Sequence, residues 1–141
     1  MKKRYIALII IGTVLFILFI FGWVLGSFDF THYKRLGKTN YELMEDVSSF
    51  VGLYYTYPND LSVGVVEGHI TDAYWNEQYI LVTQYYGRND SIEGYYIVKM
   101  LPPVEKGVPW EKTKFATKEE YEQKKQELSL NEKEMKHITF K

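Results

Sequence analysis

The chain has 141 residues, enough for one modest domain, and its formal charge at pH 7 is −1. It contains no cysteine, which excludes disulfides, thiolate catalysis, cysteine-ligated metal sites and lipid attachment through cysteine. All 18 acidic residues but only 14 of the 17 Lys and Arg follow residue 26. Residues 27–141 are therefore acidic overall and have no basic cluster, so we expect no nucleic-acid partner.

Residues 6–26, IALIIIGTVLFILFIFGWVLG, carry no charge. About 20 apolar residues in a helix cross the hydrocarbon core, so this stretch predicts a transmembrane helix, with the lipid bilayer as its first partner. A cleaved signal peptide is the alternative, since Lys2, Lys3 and Arg4 precede the stretch. Signal peptides have apolar regions of about 7 to 15 residues, so the length favours an uncleaved signal anchor.

Basic residues flank both ends of the stretch, but those before it adjoin the membrane directly. We therefore expect a cytoplasmic amino terminus and an extracytoplasmic carboxyl-terminal domain at the cell membrane. The predicted organisation is a flank and transmembrane helix over 1–26, a juxtamembrane connector over 27–40, and an α+β domain over 41–141.

Runs of β-branched and aromatic residues predict strands in the domain. The first two are 49–57 and 62–70, joined by a turn at 58–61, with a bulge where the apolar parity changes between Val65 and Val66. Residues 77–86 and 93–101 predict an antiparallel hairpin of central strands that are covered on both faces. Residues 137–140 predict a short last strand.

Three of the four prolines lie in 102–115, which is therefore expected to be irregular. Residues 116–130 predict a helix, because Thr117 and Glu120 form a capping-box pattern. Glu120 and Lys124 are spaced to form an ion pair along it. The helix has a thin apolar stripe, so we expect it to lie on a sheet surface. The fold class predicted is α+β, with an antiparallel sheet of four or five strands and one carboxyl-terminal surface helix.

Motifs for chemistry are absent from the sequence. The three histidines have no metal-ligand spacing, and no phosphate-binding glycine loop or nucleophile elbow occurs. We therefore expect no enzyme activity, no cofactor and no metal. The alternative is an acid–base pair of His69 and Asp72, with Glu67 nearby, which requires a cleft that gathers all three.

Ten of the thirteen tyrosines fall between residues 41 and 96. Exposed aromatic residues are typical of interfaces, so this region predicts a protein-binding surface. The residues assigned to it are Tyr54, Tyr74, Trp75, Tyr85 and Tyr86. The alternative is that these tyrosines only pack the sheet, because strands favour aromatic residues whatever the function.

Three segments carry a resemblance to a known group of proteins: DAYWNEQYILV, GYYIVKM and FATKEEYEQKKQELSL. Over residues 70–130 they resemble a family of small exported proteins of Gram-positive bacteria, which has no assigned function and often carries lipid anchors. The resemblance implies a membrane-attached extracytoplasmic domain in a bacterial protein. This chain departs from it by lacking the lipid-bearing cysteine.

The function predicted is a single-pass, membrane-anchored binding module for a protein partner. A role as an immunity or inhibitor protein belongs to this class by analogy alone. The alternative is a structural accessory subunit whose transmembrane helix packs against partner helices through Gly22 and Gly26.

Overall fold

The structure is a computed structural model that describes residues 11–21, 34–45, 49–86 and 91–140. The chain forms two compact units, Met1–Phe30 and Thr31–Lys141. In the first unit, residues 11–21 form a helix, α1, whose side chains are exposed.

Across the described ranges, no helix has both the length and the apolar character needed to cross a membrane. Residues 6–10 and 22–26 of the predicted span lie outside these ranges, as do residues 27–33 of the predicted connector. The transmembrane helix therefore stays a prediction.

Two antiparallel sheets make up most of the second unit within its described part. The first sheet has the strand order β1 (Lys34–Arg35), β2 (Tyr41–Glu45), β3 (Val51–Thr56) and β4 (Ser62–Val66). The second has the order β8 (Trp110–Phe115), β7 (Ser91–Met100), β6 (Tyr79–Tyr86), β5 (Ile70–Trp75) and β9 (Lys136–Thr139). A helix, α2 (Lys118–Glu127), and a 3₁₀ turn, Glu132–Glu134, precede β9. The predicted α+β class is confirmed.

The main core combines buried side chains of both sheets. Leu53 and Tyr55 of the first sheet belong to the same buried cluster as Ile80 and Val82 of the second. These residues are two apart on their strands, so alternation places them on one face. Burying each such side chain is worth about 1.5 to 3 kcal/mol relative to leaving it exposed, and this burial holds the two sheets together.

The predicted bulge is confirmed on β4. Leu53 pairs with Val66 and Tyr54 pairs with Gly64, so Val65 is the extra residue. The extra residue changes the parity of the strand, which lets Val65 and Val66 both be buried.

The prediction of one continuous strand over 62–70 is wrong. β4 ends at Val66 in the first sheet, and β5 starts at Ile70 in the second. Between them, Gly68 and His69 have φ angles of 73° and 49°. These left-handed conformations redirect the chain from one sheet to the other.

The hairpin of β6 and β7 is confirmed, with Leu81 opposite Ile97 and Val82 opposite Tyr96. Both strands are central in the second sheet. Val82 and Tyr96 face the core between the sheets, whereas Leu81 and Ile97 join a second buried cluster that includes Tyr121 of α2. The expectation that both faces are covered is therefore correct.

Two further predictions about the sheet are wrong. The described part of the domain has two sheets, of four and five strands, where a single sheet of four or five strands was expected. Strands β1, β2 and β8 were not predicted. The expected irregularity of 102–115 holds only up to Pro109, because Trp110–Phe115 pairs along β7. All three prolines precede this edge strand, whose charged exposed side chains suit an unpaired edge.

Thr117 caps α2 as predicted, and its Oγ1 accepts a hydrogen bond from the Glu120 amide at 3.3 Å. The helix is shorter than the predicted 116–130. Lys124 pairs with Glu127 at 2.8 Å rather than with Glu120. Buried Tyr121 contacts the second sheet, so α2 lies on a sheet surface as expected.

Candidate functional site

The five residues predicted to bind a protein lie in different places. Tyr74 and Tyr85 are half-buried and line one pocket on the outer face of the second sheet. Tyr54 belongs to the first sheet, and Trp75 is only 5 % exposed within the main core. The side chain of Tyr86 lies outside what the structure describes. The structure therefore brings two of the five together.

The pocket of Tyr74 and Tyr85 has a volume of about 240 Å³ and lies against α2 and the 3₁₀ turn. We call it the tyrosine pocket; its lining residues are Asp72, Tyr74, Thr83, Tyr85, Tyr95, Lys118, Tyr121, Glu122 and Glu132. Tyr95 and Tyr121 were not among the five predicted residues, although the spacing of Tyr121 along α2 marks it as a residue that faces the sheet.

Strand register builds the floor of the tyrosine pocket. Asp72 of β5 lies opposite Thr83 of β6, which in turn lies opposite Tyr95 of β7. These three side chains form a row across the sheet, on the face that α2 partly covers. A shift in register between Ile70 and Asp72 makes Thr71 an extra residue in β5, and this shift sets the alignment of the row.

Tyr74 is held in place by the last strand. Its ring stacks on that of His137, with centroids 4.0 Å apart and planes 9° apart. His137 Nε2 lies 3.0 Å from Asp72 Oδ1, and Thr139 Oγ1 donates to the same oxygen at 2.9 Å. This network fixes the orientation of the Tyr74 ring, which forms one wall of the pocket.

The network of Asp72, His137 and Thr139 differs from a catalytic triad. In a triad, the imidazole uses one nitrogen for the carboxylate and the other for the hydroxyl. Here the same Nε2 lies near both Asp72 and Thr139 Oγ1, the latter at 3.1 Å. The arrangement therefore orients the ring and does not line up a proton relay.

The alternative acid–base pair does not form. Asp72 contacts His137, while His69 lies beside Phe50 and lines another pocket. Glu67 packs over Gly64 instead of joining Asp72. Among the described residues, no group of three His, Asp or Glu side chains could hold a metal ion.

The phenol groups of Tyr74 and Tyr121 stay protonated at neutral pH. Burial raises the pKa of Tyr74, and the carboxylates of Glu132 and Asp72 raise it further. Burial likewise raises the pKa of Tyr121, with Glu132 and Glu122 adding to the effect. These phenols therefore keep their protons and remain available as hydrogen-bond donors.

Lys125, beside the tyrosine pocket, is a buried charge that no local sequence pattern predicted. Its Nζ lies 2.9 Å from Glu122, 2.5 Å from Glu132, and 4.6 Å from the centre of the Tyr121 ring. Burial lowers the pKa of Lys125, but hydrogen bonds to both glutamates outweigh it and the net direction is upward. Lys125 thus joins α2 to the 3₁₀ turn.

No protein-family model, curated protein or solved structure matches this chain. The resemblance of residues 70–130 to small exported Gram-positive proteins accordingly stays a prediction.

Proposed function

We propose that this protein is a single-pass, membrane-anchored binding module with no catalytic activity. Residues 6–26 serve as the retained anchor, the amino terminus is cytoplasmic, and the carboxyl-terminal unit lies outside the cytoplasm. The uncharged stretch of the sequence supports the anchor, because its length matches the hydrocarbon core of a bilayer.

The tyrosine pocket is the surface that we propose binds the partner. The observation that carries this proposal is the half-exposed Tyr74 ring, which is fixed by stacking on His137. A rigid aromatic side chain loses little entropy on binding, which is why tyrosine is frequent at interface hot spots. This pre-organisation distinguishes Tyr74 from the buried tyrosines that serve only the core.

The charges around the pocket indicate what kind of partner fits. Three carboxylates, Asp72, Glu122 and Glu132, line the pocket, together with the ammonium group of Lys118. Lys125, beside the pocket, pairs with both glutamates, so three negative charges face two positive ones and the net charge is −1. An acidic rim favours a partner protein that presents Lys or Arg side chains. An envelope-acting toxin opposed by an immunity or inhibitor protein is one partner of this class.

A pull-down with the detergent-solubilised full chain tests the binding surface. We expect a partner that co-purifies with the unchanged protein to be lost with Tyr85→Ala, which removes a ring at the pocket. Tyr54→Ala is the matched control, because it removes a half-buried tyrosine from the other sheet. Retention of the partner by Tyr85→Ala, with loss in Tyr54→Ala, would contradict the assignment.

Protease treatment of intact cells tests the anchor and its orientation. We expect the carboxyl-terminal unit to be digested while the chain stays in the membrane fraction after an alkaline wash. A protected carboxyl-terminal unit, or a soluble form that starts near residue 27, would contradict the proposed topology.

A further inference from the structure

The tyrosine pocket has the size of one side chain rather than that of a free ligand. Its volume is about 240 Å³, below the range of roughly 300 to 1,000 Å³ that is typical of small-molecule sites. Protein interfaces commonly place one anchor side chain of the partner in such a pocket. The rings and charges that line the pocket therefore decide which side chain fits.

Two pairs of stacked rings contribute to the pocket from different strands. Tyr74 of β5 stacks on His137, and Tyr95 of β7 stacks on Tyr121 with centroids 4.9 Å apart. Because β6 lies between β5 and β7, the strands that carry the two pairs are about 9 to 10 Å apart. Tyr95 and Tyr121 are buried, whereas Tyr74 is half-buried. His137 covers one face of the Tyr74 ring, which leaves the opposite face and the edge to the pocket.

Each carboxylate of the pocket uses only one of its two oxygens. Asp72 contacts β9 through Oδ1, while Glu122 and Glu132 both pair with Lys125 through Oε1. The second oxygen of each has no partner among the residues that the structure describes. The side chains of Asp72, Glu122 and Glu132 are 33 %, 43 % and 35 % exposed, so they are open to a ligand.

A single cation matches the charge of the pocket. The three carboxylates oppose the ammonium groups of Lys118 and Lys125, which gives a net charge of −1. Burial is the main cause that raises the pKa of Tyr74, and Glu132 and Asp72 raise it further. Lys125, which lowers it, has a smaller effect than either carboxylate. The negative charge therefore lies beside the accessible Tyr74 ring.

We propose that the tyrosine pocket accepts an arginine side chain. The inference rests on the proposed function, since the protein partner supplies this arginine. The guanidinium plane packs on the face of Tyr74 opposite His137, and its N–H groups donate to the second oxygens of Asp72 and Glu132. Arginine suits the pocket better than lysine, because its guanidinium is flat, stacks on aromatic rings and has five donors in fixed directions. The lysine ammonium is compact and more strongly hydrated, so it loses more by leaving water.

Tyrosine ring signals in the NMR spectrum test this proposal on the full chain in a non-ionic maltoside detergent. The tyrosine rings are labelled with ¹³C, and loss of a signal in Tyr74→Phe assigns the Tyr74 resonance. The probes are N-acetyl-arginine N-methylamide and the same derivatives of lysine and citrulline. Lysine has the charge without the flat group, and citrulline has the flat group without the charge, so both are matched controls.

We expect the arginine probe to shift the Tyr74 signal in a saturable manner. The lysine and citrulline probes should bind at least about fivefold more weakly, because each lacks one of the two features that the pocket recognises. Absence of a saturable shift with arginine would overturn the proposal, as would equal binding of lysine or citrulline.

Asp72→Asn removes a charge from the pocket and keeps the shape of the side chain. Its remaining oxygen still accepts from Thr139, so this contact with β9 is retained, and arginine binding should weaken about fivefold or more. Asp60→Asn is the matched control, because this exposed aspartate lies in the turn between β3 and β4, outside the pocket. Equal affinity in the two variants would contradict the proposal.

Lys118→Gln tests the charge in the opposite direction. Lys118 is exposed at the start of α2 and has no ion pair within the described part of the chain. Its removal should tighten arginine binding about two- to fivefold at low ionic strength, and less at high salt. Lys38→Gln, in the exposed turn before β2, should leave the affinity unchanged. Unchanged or weaker binding in Lys118→Gln would argue against an arginine held by charge.

The arginine inference and the proposed function fail separately. If Tyr85→Ala loses the partner in the pull-down but the arginine probe does not bind, the arginine inference is wrong and the proposed function stands. If the arginine probe binds selectively but Tyr85→Ala retains the partner, the arginine site stands and the proposed binding surface is wrong.

Discussion

Tyr74 and His137 lie directly opposite each other on β5 and β9, and their rings stack in parallel 4.0 Å apart. Asp72, two residues before Tyr74 on the same strand face, holds His137 through a contact of 3.0 Å. The last strand of the chain therefore orients an aromatic side chain of the tyrosine pocket. This connection makes the geometry of the pocket dependent on the docking of β9.

The stacking of Tyr74 on His137 should appear as an energetic coupling. In a double-mutant cycle with Tyr74→Leu and His137→Leu, we expect a coupling of about 0.5 to 1.5 kcal/mol in the free energy of unfolding. Urea unfolding followed by tryptophan fluorescence measures it. The control cycle pairs Tyr54→Leu with His137→Leu, and these distant changes should add within about 0.5 kcal/mol. Equal coupling in both cycles would show that the stacking contributes nothing specific.

Lys125 should matter far more for stability than its neighbour Lys124. Lys125→Ala removes a buried ammonium group together with its hydrogen bonds to Glu122 and Glu132, so we expect a loss of about 1.5 to 3 kcal/mol. Lys124→Ala removes only an exposed pair with Glu127 and should cost less than about 1 kcal/mol. Urea midpoints of the two variants provide the comparison. Similar losses would mean that burial of Lys125 has no energetic consequence.

Alkaline pH should weaken the fold through its buried tyrosines. Burial, with Tyr55 and Tyr57 adding to it, raises the pKa of Tyr41 well above its ordinary value near 10. Above about pH 10 the unfolded chain releases this proton while the folded chain keeps it, so the free energy of unfolding falls as pH rises. Below that pH the contribution is fully present.

Tyr41→Phe is the variant that checks this pH dependence. At pH 8 it should be about 1 kcal/mol less stable, because the hydroxyl donates to the Pro109 carbonyl at 2.8 Å. The difference from the unchanged protein should narrow as urea unfolding is repeated from pH 9 to 11. If the free energies of unfolding of the two proteins fall in parallel over this pH range, the raised pKa of Tyr41 is not the cause of the pH dependence.

The Thr117 cap of α2 should contribute measurably to the free energy of unfolding. Thr117→Ala removes the acceptor of the Glu120 amide, and we expect a loss of about 1 kcal/mol in the free energy of unfolding. Thr117→Ser keeps the oxygen and should retain most of the stability. If Ser and Ala variants unfold at the same urea concentration, the hydrogen bond is not what stabilises this end of the helix.

Local patterns in the sequence determined much of the secondary structure. The hairpin of β6 and β7, the turn before β4, the bulge at Val65 and the cap at Thr117 follow from residues close together in the chain. Alternation and capping act over a few residues, so they can be read without knowing the fold. The uncharged stretch over 6–26 can likewise be recognised from its composition alone.

Only the tertiary structure decided which faces meet. Asp72 and His137 are 65 residues apart, and the glutamates that hold Lys125 lie on two different elements. Strand alternation shows which side chains share a face, but it does not show which face a second sheet or a helix covers. Trp75 and Tyr74 are adjacent in the chain, and both were predicted to bind a protein partner. They lie on opposite sides of the sheet: Trp75 is in the core, and Tyr74 lines the tyrosine pocket.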